Sequence, residues 1–462
     1  MSELIPHTDL TVELYAPRRQ IYTRAFTGLF RNVRRIGGAV LLFIYFSTAW
    51  LTVDGRQAVW WDLPSRKFHI FGATFWPQDF ILLSGLLIVA AFGLFFITVY
   101  AGRVWCGYSC PQSVWTWMFM WCEKVIEGDR NQRIKLDQAP WSLTKIVRKC
   151  AKHSLWLLLA LATALTFVGY FTPIRALAVE FFSGQADAWA YVWVGLLTVA
   201  TYGNAGWLRE QVCIHMCPYA RFQSVMFDRD TLIVSYDAAR GEQRGARRKE
   251  AERGAGGLGD CIDCTMCVQV CPTGIDIRDG LQIECIGCAA CVDACDSIMD
   301  KMDYPRGLIA YTTERALAGQ PSQTLRPRLL GYAAVLLVML GVLSTAFTLR
   351  PLAALDVSKD RMLYRLDSAG RVENVYTLKV INKDQRAHRY QLAASGLAGL
   401  HWQGARQVQV GAGEIATLVV QLSVDQAPSA AQAIVFTLTD ADHPGADHSI
   451  DATSRFTGPT LR

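Results

Sequence analysis

Five stretches of the chain are continuously apolar over about 20 residues, the length that an α-helix needs to cross a bilayer core of about 30 Å. None of them contains a charged side chain, and an ordinary soluble protein does not bury five helices of this kind. The pattern therefore predicts an integral membrane protein with five transmembrane helices. The predicted spans are Ile36–Val53, Phe80–Val99, Ser154–Ile174, Ala188–Leu208 and Leu329–Leu349.

Basic residues flank these spans unequally. The loop 101–153 contains nine Lys or Arg residues, whereas Arg175 alone closely follows the third span. Because Lys and Arg accumulate on the cytoplasmic side, the N-terminus and the segment 209–328 are predicted to be cytoplasmic. The chain after Arg350 is then periplasmic, and the expected location is a bacterial cytoplasmic (inner) membrane. The arm before the first span adds Arg18, Arg19, Arg24, Arg31, Arg34 and Arg35.

Alternation with a period of two replaces the long apolar runs after the fifth span. About a hundred residues with this pattern, separated by Gly, Asp and Pro, predict an Ig-like β-sandwich with a docking or structural role. The alternating sets are Tyr376, Leu378 and Val380; Leu418, Val420, Leu422 and Val424; and Ile434, Phe436 and Leu438. The histidines there are scattered, as surface or turn residues are: His388, His401, His443 and His448.

Composition narrows the chemistry. The net charge of +6 is a small difference between 46 basic and 40 acidic residues, so it indicates no nucleic-acid partner. All 14 cysteines lie between Cys106 and Cys295. The thiols therefore fall in the part of the chain predicted to be cytoplasmic or close to the cytoplasmic membrane surface.

Eight of these cysteines form two C-x2-C-x2-C-x3-C runs, the first followed by Pro272. This spacing is typical of two-cluster ferredoxins, in which the fourth cysteine of each run binds the other cluster. It predicts two [4Fe-4S] clusters. The predicted ligands are Cys261, Cys264, Cys267 and Cys295 for one cluster and Cys285, Cys288, Cys291 and Cys271 for the other.

Structural zinc and disulfides are weaker interpretations of these runs. Zinc sites use four thiolates per ion, commonly in two well-separated pairs, and disulfides are rare on the reducing cytoplasmic side.

Two further motifs, both C-x3-C-P, follow the second and fourth spans. Cys106, Cys110, Cys213 and Cys217 suggest an internal repeat, and cysteines at i and i+4 of one helical turn point the same way. Four such thiols can hold copper or a third metal centre, although small buried cysteines at two helix ends remain an alternative. His215 and Met216, inside the second motif, are candidate copper ligands as well.

Cys122 and Cys150 have no partner at ligand spacing. Both are predicted to be buried apolar residues rather than ligands.

The order of these parts resembles the cytochrome c oxidase accessory protein family of the FixG (CcoG) type, a group of polyferredoxin-like membrane proteins. The resemblance covers essentially the whole chain, including Trp105-Cys-Gly-Tyr-Ser-Cys-Pro-Gln112 and Glu127-Gly-Asp-Arg-Asn131. It implies a role in assembly of the cbb3-type oxidase through reduction of Cu(II) to Cu(I). On this interpretation the four C-x3-C-P cysteines are catalytic, and the partners are oxidase subunits or copper chaperones and transporters.

Two other functions stay open at this stage: a quinol dehydrogenase relay, and an assembly scaffold without redox activity. Whether the protein is an enzyme, here a cupric reductase, is also open, as are the electron donor and homo-oligomerisation. The predicted segments are 1–35, cytoplasmic arm; 36–238, four-helix membrane region; 239–259, basic flexible linker; 260–303, ferredoxin domain; 304–328, connector; 329–349, fifth span; and 350–462, periplasmic Ig-like domain.

Overall fold

The computed structural model describes residues 20–459 apart from 54, 250–252, 254, 368–369, 426–429 and 443–448. The chain divides into two compact units, each assembled from three separate stretches. The first unit comprises Met1–Phe43, Leu94–Thr163 and Gly195–Tyr332, and the second comprises Ile44–Gly93, Ala164–Val194 and Ala333–Arg462.

Helices dominate the chain up to residue 348. The α-helices are Leu29–Thr48, Phe80–Ala101, Val104–Tyr108, Pro111–Glu127, Arg130–Gln138, Leu143–Val168, Ile174–Ser183, Ala188–Thr201, Pro218–Met226, Ala238–Gly241, Met266–Gln269, Ala290–Met302, Glu314–Leu317 and Pro327–Thr348. Wider π-helical turns span Tyr202–Leu208 and Val212–Met216, and 3-10 turns span Pro77–Asp79, Ala255–Gly257 and Ile277–Asp279.

Among the described residues, three helices are long and apolar enough to cross a membrane: Pro77–Ala101, Leu143–Val168 and Pro327–Thr348. The first predicted span does not qualify because its helix, Leu29–Thr48, begins among arginines and ends before the predicted boundary. The fourth does not qualify because its α-helix, Ala188–Thr201, has only 14 residues before the wider π turns begin.

The cluster domain of the first unit is closed by two strands, Ile233–Tyr236 and Ile309–Thr312, which pair antiparallel. Tyr236, Leu308 and Ile309 are buried in its core together with cysteines of the cluster runs. The strand before the cysteine runs and the strand after them therefore hold the two ends of the domain together.

The predicted flexible linker is packed on this domain where it is described. The Asp260 carboxylate, 4% exposed, accepts hydrogen bonds from Arg240 and Arg253, and the Arg247 guanidinium donates to the Gly259 carbonyl. Burial by itself would raise the pKa of Asp260, but these arginines hold it below its usual value. The prediction of a free tether is therefore corrected for these residues.

The C-terminal part of the second unit contains two antiparallel sheets. The alternating sets predicted from the sequence form its core, with Tyr376, Leu378 and Phe436 fully buried. The strand order of one sheet is Leu400–Gln403, Ile415–Val424, Val372–Asn382 and Ala353–Lys359, and the short strand Arg365–Leu366 also pairs with Val372–Asn382. The strand order of the other sheet is Gln407–Val410, His388–Ser395, Gln432–Asp440 and Ile450–Phe456.

The second unit also contains strands that the sequence did not predict, in the segment between the first two apolar helices. A buried ion pair fixes this segment to the C-terminal sandwich, since Lys383 Nζ lies 2.8 Å from Asp79 Oδ1. The strands are Thr52–Val53, Arg56–Gln57, Val59–Asp62, Lys67–Ile70 and Ala73–Phe75.

Candidate metal centres

Two separate cavities in the cluster domain are lined by thiols, four in one and five in the other. One is lined by Cys261, Cys264, Cys267 and Cys295. The other is lined by Cys271, Cys285, Cys288 and Cys291, with Cys267 also at its wall. The structure thus brings together the same two groups that the spacing predicts, with the last cysteine of each run beside the other run.

The spread of the thiols fits clusters rather than single ions. A tetrahedral ion with metal–sulfur bonds of about 2.3 Å holds its sulfurs about 3.8 Å apart. Within the described part of the chain, no three thiol sulfurs lie within 4.8 Å of one another. A cube of iron and sulfide needs the wider separation, because each thiolate binds a different corner.

The local backbone repeats at the two cavities. Thr265 and Ala289 both have a left-handed conformation, with φ of 53° and 55°, and each directly precedes a helix. Cys267 and Cys291 are each the second residue of that helix. The repeated spacing of the sequence therefore corresponds to a repeated loop-to-helix turn.

Burial favours the neutral form of five of these thiols: Cys267, Cys271, Cys285, Cys291 and Cys295. Burial raises the pKa of Cys267 to about 11 and those of Cys285 and Cys295 to about 12. Bound metal ions would supply the positive charge that stabilises the thiolates, as the chemistry of this donor set requires.

The two C-x3-C-P motifs share one local structure. Cys106 lies in the helix Val104–Tyr108 and Cys213 in the turn Val212–Met216, while Cys110 and Cys217 are extended residues just before the next helices. The amide of Cys110 donates to the Trp105 carbonyl and that of Cys217 to the Val212 carbonyl, both at 2.9 Å.

The prediction that each motif forms one continuous helical turn is wrong. Pro111 and Pro218 disfavour helical conformation in the residue before them, so the helix breaks at the second cysteine.

The four thiols of these motifs nevertheless converge, and all are half-buried. Burial, followed by the neighbouring Cys110, raises the pKa of Cys106 to about 12. Burial, followed by Cys110 and Cys217, raises the pKa of Cys213 to about 11. We call this group, Cys106, Cys110, Cys213 and Cys217, the thiol quartet.

The quartet lies directly against the loop of the second cluster cavity. A Cβ atom placed on Gly107 would lie 2.9 Å from the Cα atom of Cys288 and from the Gly287 carbonyl oxygen. The buried Arg103 connects the same parts, because its guanidinium donates to carbonyls of the Cys285 loop and to the Ala220 carbonyl beside the second motif.

Three residues of this site were not predicted from the sequence to act there: Arg103, Gly107 and Gln223. The thiol of Cys106 donates to Oε1 of Gln223 at 3.4 Å, which connects the first motif to the helix after the second. The glycine after Cys106 was a local signal of close packing, whereas nothing near Arg103 or Gln223 in the sequence indicated their partners.

The other candidate residues differ in their surroundings. Cys122 is buried among apolar side chains, as predicted, whereas Cys150 is exposed, because the face of its helix that it shares with Ile146 is exposed. His215 and Met216 are both exposed, and their role as ligands stays a prediction.

One histidine of the sandwich is not an isolated surface residue. His388 Nδ1 lies 2.9 Å from Asp440 Oδ2, and its Nε2 lies 2.9 Å from Asp384 Oδ2. Atoms of His388, Asp440 and Asp442 come within 4.8 Å of one another. His401 is exposed beside Asp425, and His443 and His448 lie outside the described residues.

Comparison with known proteins places this geometry in a family. A family model for a 4Fe-4S dicluster domain matches residues 208–314, which assigns two [4Fe-4S] clusters to this part of the chain. A second model, for the Ig-like fold at the C-terminal of FixG, matches residues 343–459.

Full-length relatives extend the match. The nitrogen fixation protein FixG of Rhizobium meliloti (strain 1021) is 39% identical over 446 residues, covering 88% of this chain and 85% of the relative. Protein RdxB of Cereibacter sphaeroides is 41% identical over 442 residues, covering 92% of each. A crystal structure of a FixG-related protein from Vibrio parahaemolyticus is 38% identical and covers 23% of this chain and 97% of its own, with a TM-score of 0.22. With identities of 39–41% over most of its length and both domain matches, this chain belongs to the FixG family of iron-sulfur redox proteins.

Proposed function

We propose that this protein is a membrane-bound electron carrier that reduces Cu(II) to Cu(I), with the copper substrate held at the thiol quartet. The Cu(I) product serves copper insertion into a cbb3-type cytochrome c oxidase, the role that the family resemblance implies. The proposed partners are oxidase subunits or the copper chaperones and transporters that exchange copper with it.

The observation that carries this proposal is the contact between the quartet and the second cluster loop. Gly107 sits between Cys106 and Cys110 and touches the backbone of Cys288. Because no three sulfurs of the quartet lie within 4.8 Å of one another, a copper ion there is bound by two of the thiols at a time. It is separated from the cluster loop by one layer of backbone, in a protein whose dicluster domain is built for electron transfer.

The residues proposed to hold the clusters are the two groups of four cysteines around the two cavities. Clusters bound there supply single electrons, one at a time. The chain itself supplies buried thiols and the Arg103 guanidinium, whose charge lowers the pKa of Cys106 and Cys285 against the effect of burial.

The chemistry of the quartet suits the product. Thiolates are soft ligands and favour Cu(I) over Cu(II), so transfer of one electron to one bound Cu(II) gives the ion that the site holds better. His215 and Met216 are proposed as additional ligands during copper entry or release, because their exposure gives them access to solvent.

The proposed topology has five membrane-spanning helices, with clusters and quartet on the cytoplasmic side and the sandwich in the periplasm. Three helices qualify by length and hydropathy. For the first, the long arginine side chains at its start can reach the headgroups while the rest stays apolar. For the fourth, Ala188–Thr201 and the turn Tyr202–Leu208 together supply the length.

The test compares the wild type with a variant in which all four quartet cysteines are changed to Ser, both purified anaerobically. Iron, sulfide and copper are measured, and the dithionite-reduced proteins are then mixed with Cu(II) and a Cu(I)-specific chelator. The matched control is Cys150→Ser, since Cys150 is exposed and lies outside every motif.

We expect about eight iron atoms in all three proteins, as two [4Fe-4S] clusters require. We also expect copper binding and Cu(II) reduction to be lost in the quartet variant alone. Undiminished Cu(II) reduction by that variant would refute the copper site. About twelve iron atoms falling to about eight would instead identify the quartet as the ligands of a third cluster.

A further inference from the structure

A cavity of about 910 Å³ lies within the first unit, between the start of the helix Leu29–Thr48 and the helix Pro111–Glu127. Part of its wall is apolar and includes residues of the first predicted span. The apolar side chains include Ile36, Leu42, Val114, Trp117, Trp121 and Val125.

The rest of the wall is strongly basic. Six of the lining residues are Lys or Arg, and Asp129 is the one carboxylate among the lining residues. That carboxylate is already engaged, because its Oδ1 accepts the amide of Ala25 at 2.9 Å. The cavity therefore carries an excess of positive charge that its own lining does not neutralise.

Some of these cations have partners elsewhere in the protein. Arg34 stacks 3.8 Å from the Trp117 ring, and Arg133 lies 2.6 Å from the buried Glu123. Arg24 donates to the neutral Gln269 side chain. The first two cations are therefore structural parts of the wall.

Arg31, Arg35 and Lys124 are different. Within the described part of the chain, no carboxylate lies at ion-pair distance from any of their side-chain nitrogens; the Asp293 carboxylate instead accepts the backbone amides of Phe30 and Arg31. Burial and the like charges of Arg35 and Arg34 lower the pKa of Arg31, and the Asp293 carboxylate offsets only part of this effect. Three cations at the wall of one cavity, none with a carboxylate at ion-pair distance among the described residues, fit an anionic ligand.

We infer that this cavity binds an anionic phospholipid of the cytoplasmic leaflet, with its phosphate at Arg31, Arg35 and Lys124. The apolar wall is the reason to assign a lipid rather than a soluble phosphate, since acyl chains can cover Ile36 and Leu42 where the cavity meets the first span. Basic pockets at the cytoplasmic ends of membrane helices bind anionic headgroups in this way.

The inferred lipid has a structural consequence. Gly107 and Tyr108 also line the cavity, beside the thiol quartet and the second cluster loop. A lipid seated there connects the bilayer surface to the wall of the redox centre, and so fixes the cluster domain at the membrane.

The experiment titrates the purified full-length protein in a neutral detergent with phosphatidylglycerol, phosphatidylcholine or inorganic phosphate. Binding is counted by native mass spectrometry, and the thermal midpoint is followed in parallel. The test variant is Arg31→Gln/Arg35→Gln/Lys124→Gln. The matched control, Arg229→Gln/Lys301→Gln/Arg328→Gln, removes the same charge at exposed positions outside the cavity.

We expect one saturable phosphatidylglycerol on the wild type and the control, and an affinity about a hundredfold lower for the test variant, roughly fivefold per cation. Visible absorption of the iron-sulfur clusters must be retained in all three, which separates lost binding from lost folding. If phosphatidylglycerol binds as expected but the copper assay refutes the thiol quartet as the Cu(II) site, this inference stands and the copper proposal falls.

Three results would overturn the inference. One is equal binding of phosphatidylcholine and phosphatidylglycerol, and another is equal affinity of the test variant and the control. The third is stabilisation by inorganic phosphate that matches the lipid, which would assign the cavity to a soluble anion.

Discussion

The contact between Gly107 and the Cys288 loop gives a sharp test of how the two redox centres are packed. In Gly107→Ala, the new methyl carbon would lie 2.9 Å from the Cys288 Cα atom and from the Gly287 carbonyl oxygen, whereas ordinary contact begins at 3.4 Å. The two backbones must therefore separate by about 0.5 Å. Both are backbone segments rather than flexible side-chain ends, so neither can rotate away.

The cost of forcing such a group into a packed contact is about 1–3 kcal/mol. We expect Gly107→Ala to retain its iron and sulfide, to unfold at a lower denaturant concentration, and to reduce Cu(II) more slowly than the wild type. The assays are iron and sulfide analysis, denaturant unfolding followed by cluster absorption, and stopped-flow formation of the Cu(I)-chelator complex.

The matched control is Gly37→Ala, because no heavy atom lies within 4 Å of a Cβ placed there and Ala favours the helix. If Gly107→Ala matches this control in both its unfolding midpoint and its rate of Cu(II) reduction, the two loops are not in tight contact. The argument that the quartet is coupled to the second cluster loop through Gly107 would then fail.

Two further predictions concern the second unit. Lys383→Met leaves the buried Asp79 carboxylate without its cationic partner, so the free energy of unfolding in denaturant melts should fall by about 3–5 kcal/mol. Adding Asp79→Asn should recover part of this loss. An unchanged free energy of unfolding in the single variant would contradict the role of the ion pair. For His388, burial lowers the pKa, but the hydrogen bonds to Asp384 and Asp440 raise it by more, so that the net effect is an increase. The stabilisation by protonated His388 should be complete below the unfolded pKa of about 6.5 and disappear as pH rises through the folded pKa. The thermal midpoint of the wild type should therefore exceed that of His388→Gln by less and less toward alkaline pH. A difference in midpoint that does not change with pH would refute this.

Local patterns in the sequence were sufficient where the structure is itself local. Alternation placed Tyr376 and Leu378 in the core of the sandwich, because side chains of a strand alternate between its two faces. The apolar runs likewise located Phe80–Ala101 and Pro327–Thr348 closely. The first span was less well defined, since apolar character alone does not show that its helix begins among arginines and ends at Thr48.

At the candidate site too, the sequence predicted the local features and not the long-range contacts. Spacing within each cysteine run predicted three thiols of each cavity, because two-residue gaps make one tight turn. The pattern of two-cluster ferredoxins predicted that the fourth thiol comes from the other run. Spacing could not show that the C-x3-C-P motifs bend at their second cysteine or that Gly107 touches Cys288, 181 residues later in the chain.

Short-range patterns were enough to predict three long apolar helices, the alternating core of the sandwich and the two groups of cluster-domain cysteines. Most of this information lies in residues that are near one another in the chain. Three contacts became visible only in the folded chain: the two C-x3-C-P motifs converge, Arg103 joins them to the Cys285 loop, and Lys383 pairs with Asp79. These contacts join residues more than a hundred positions apart, and such pairs meet through the packing of whole helices and sheets, which short-range periodicity and spacing do not encode.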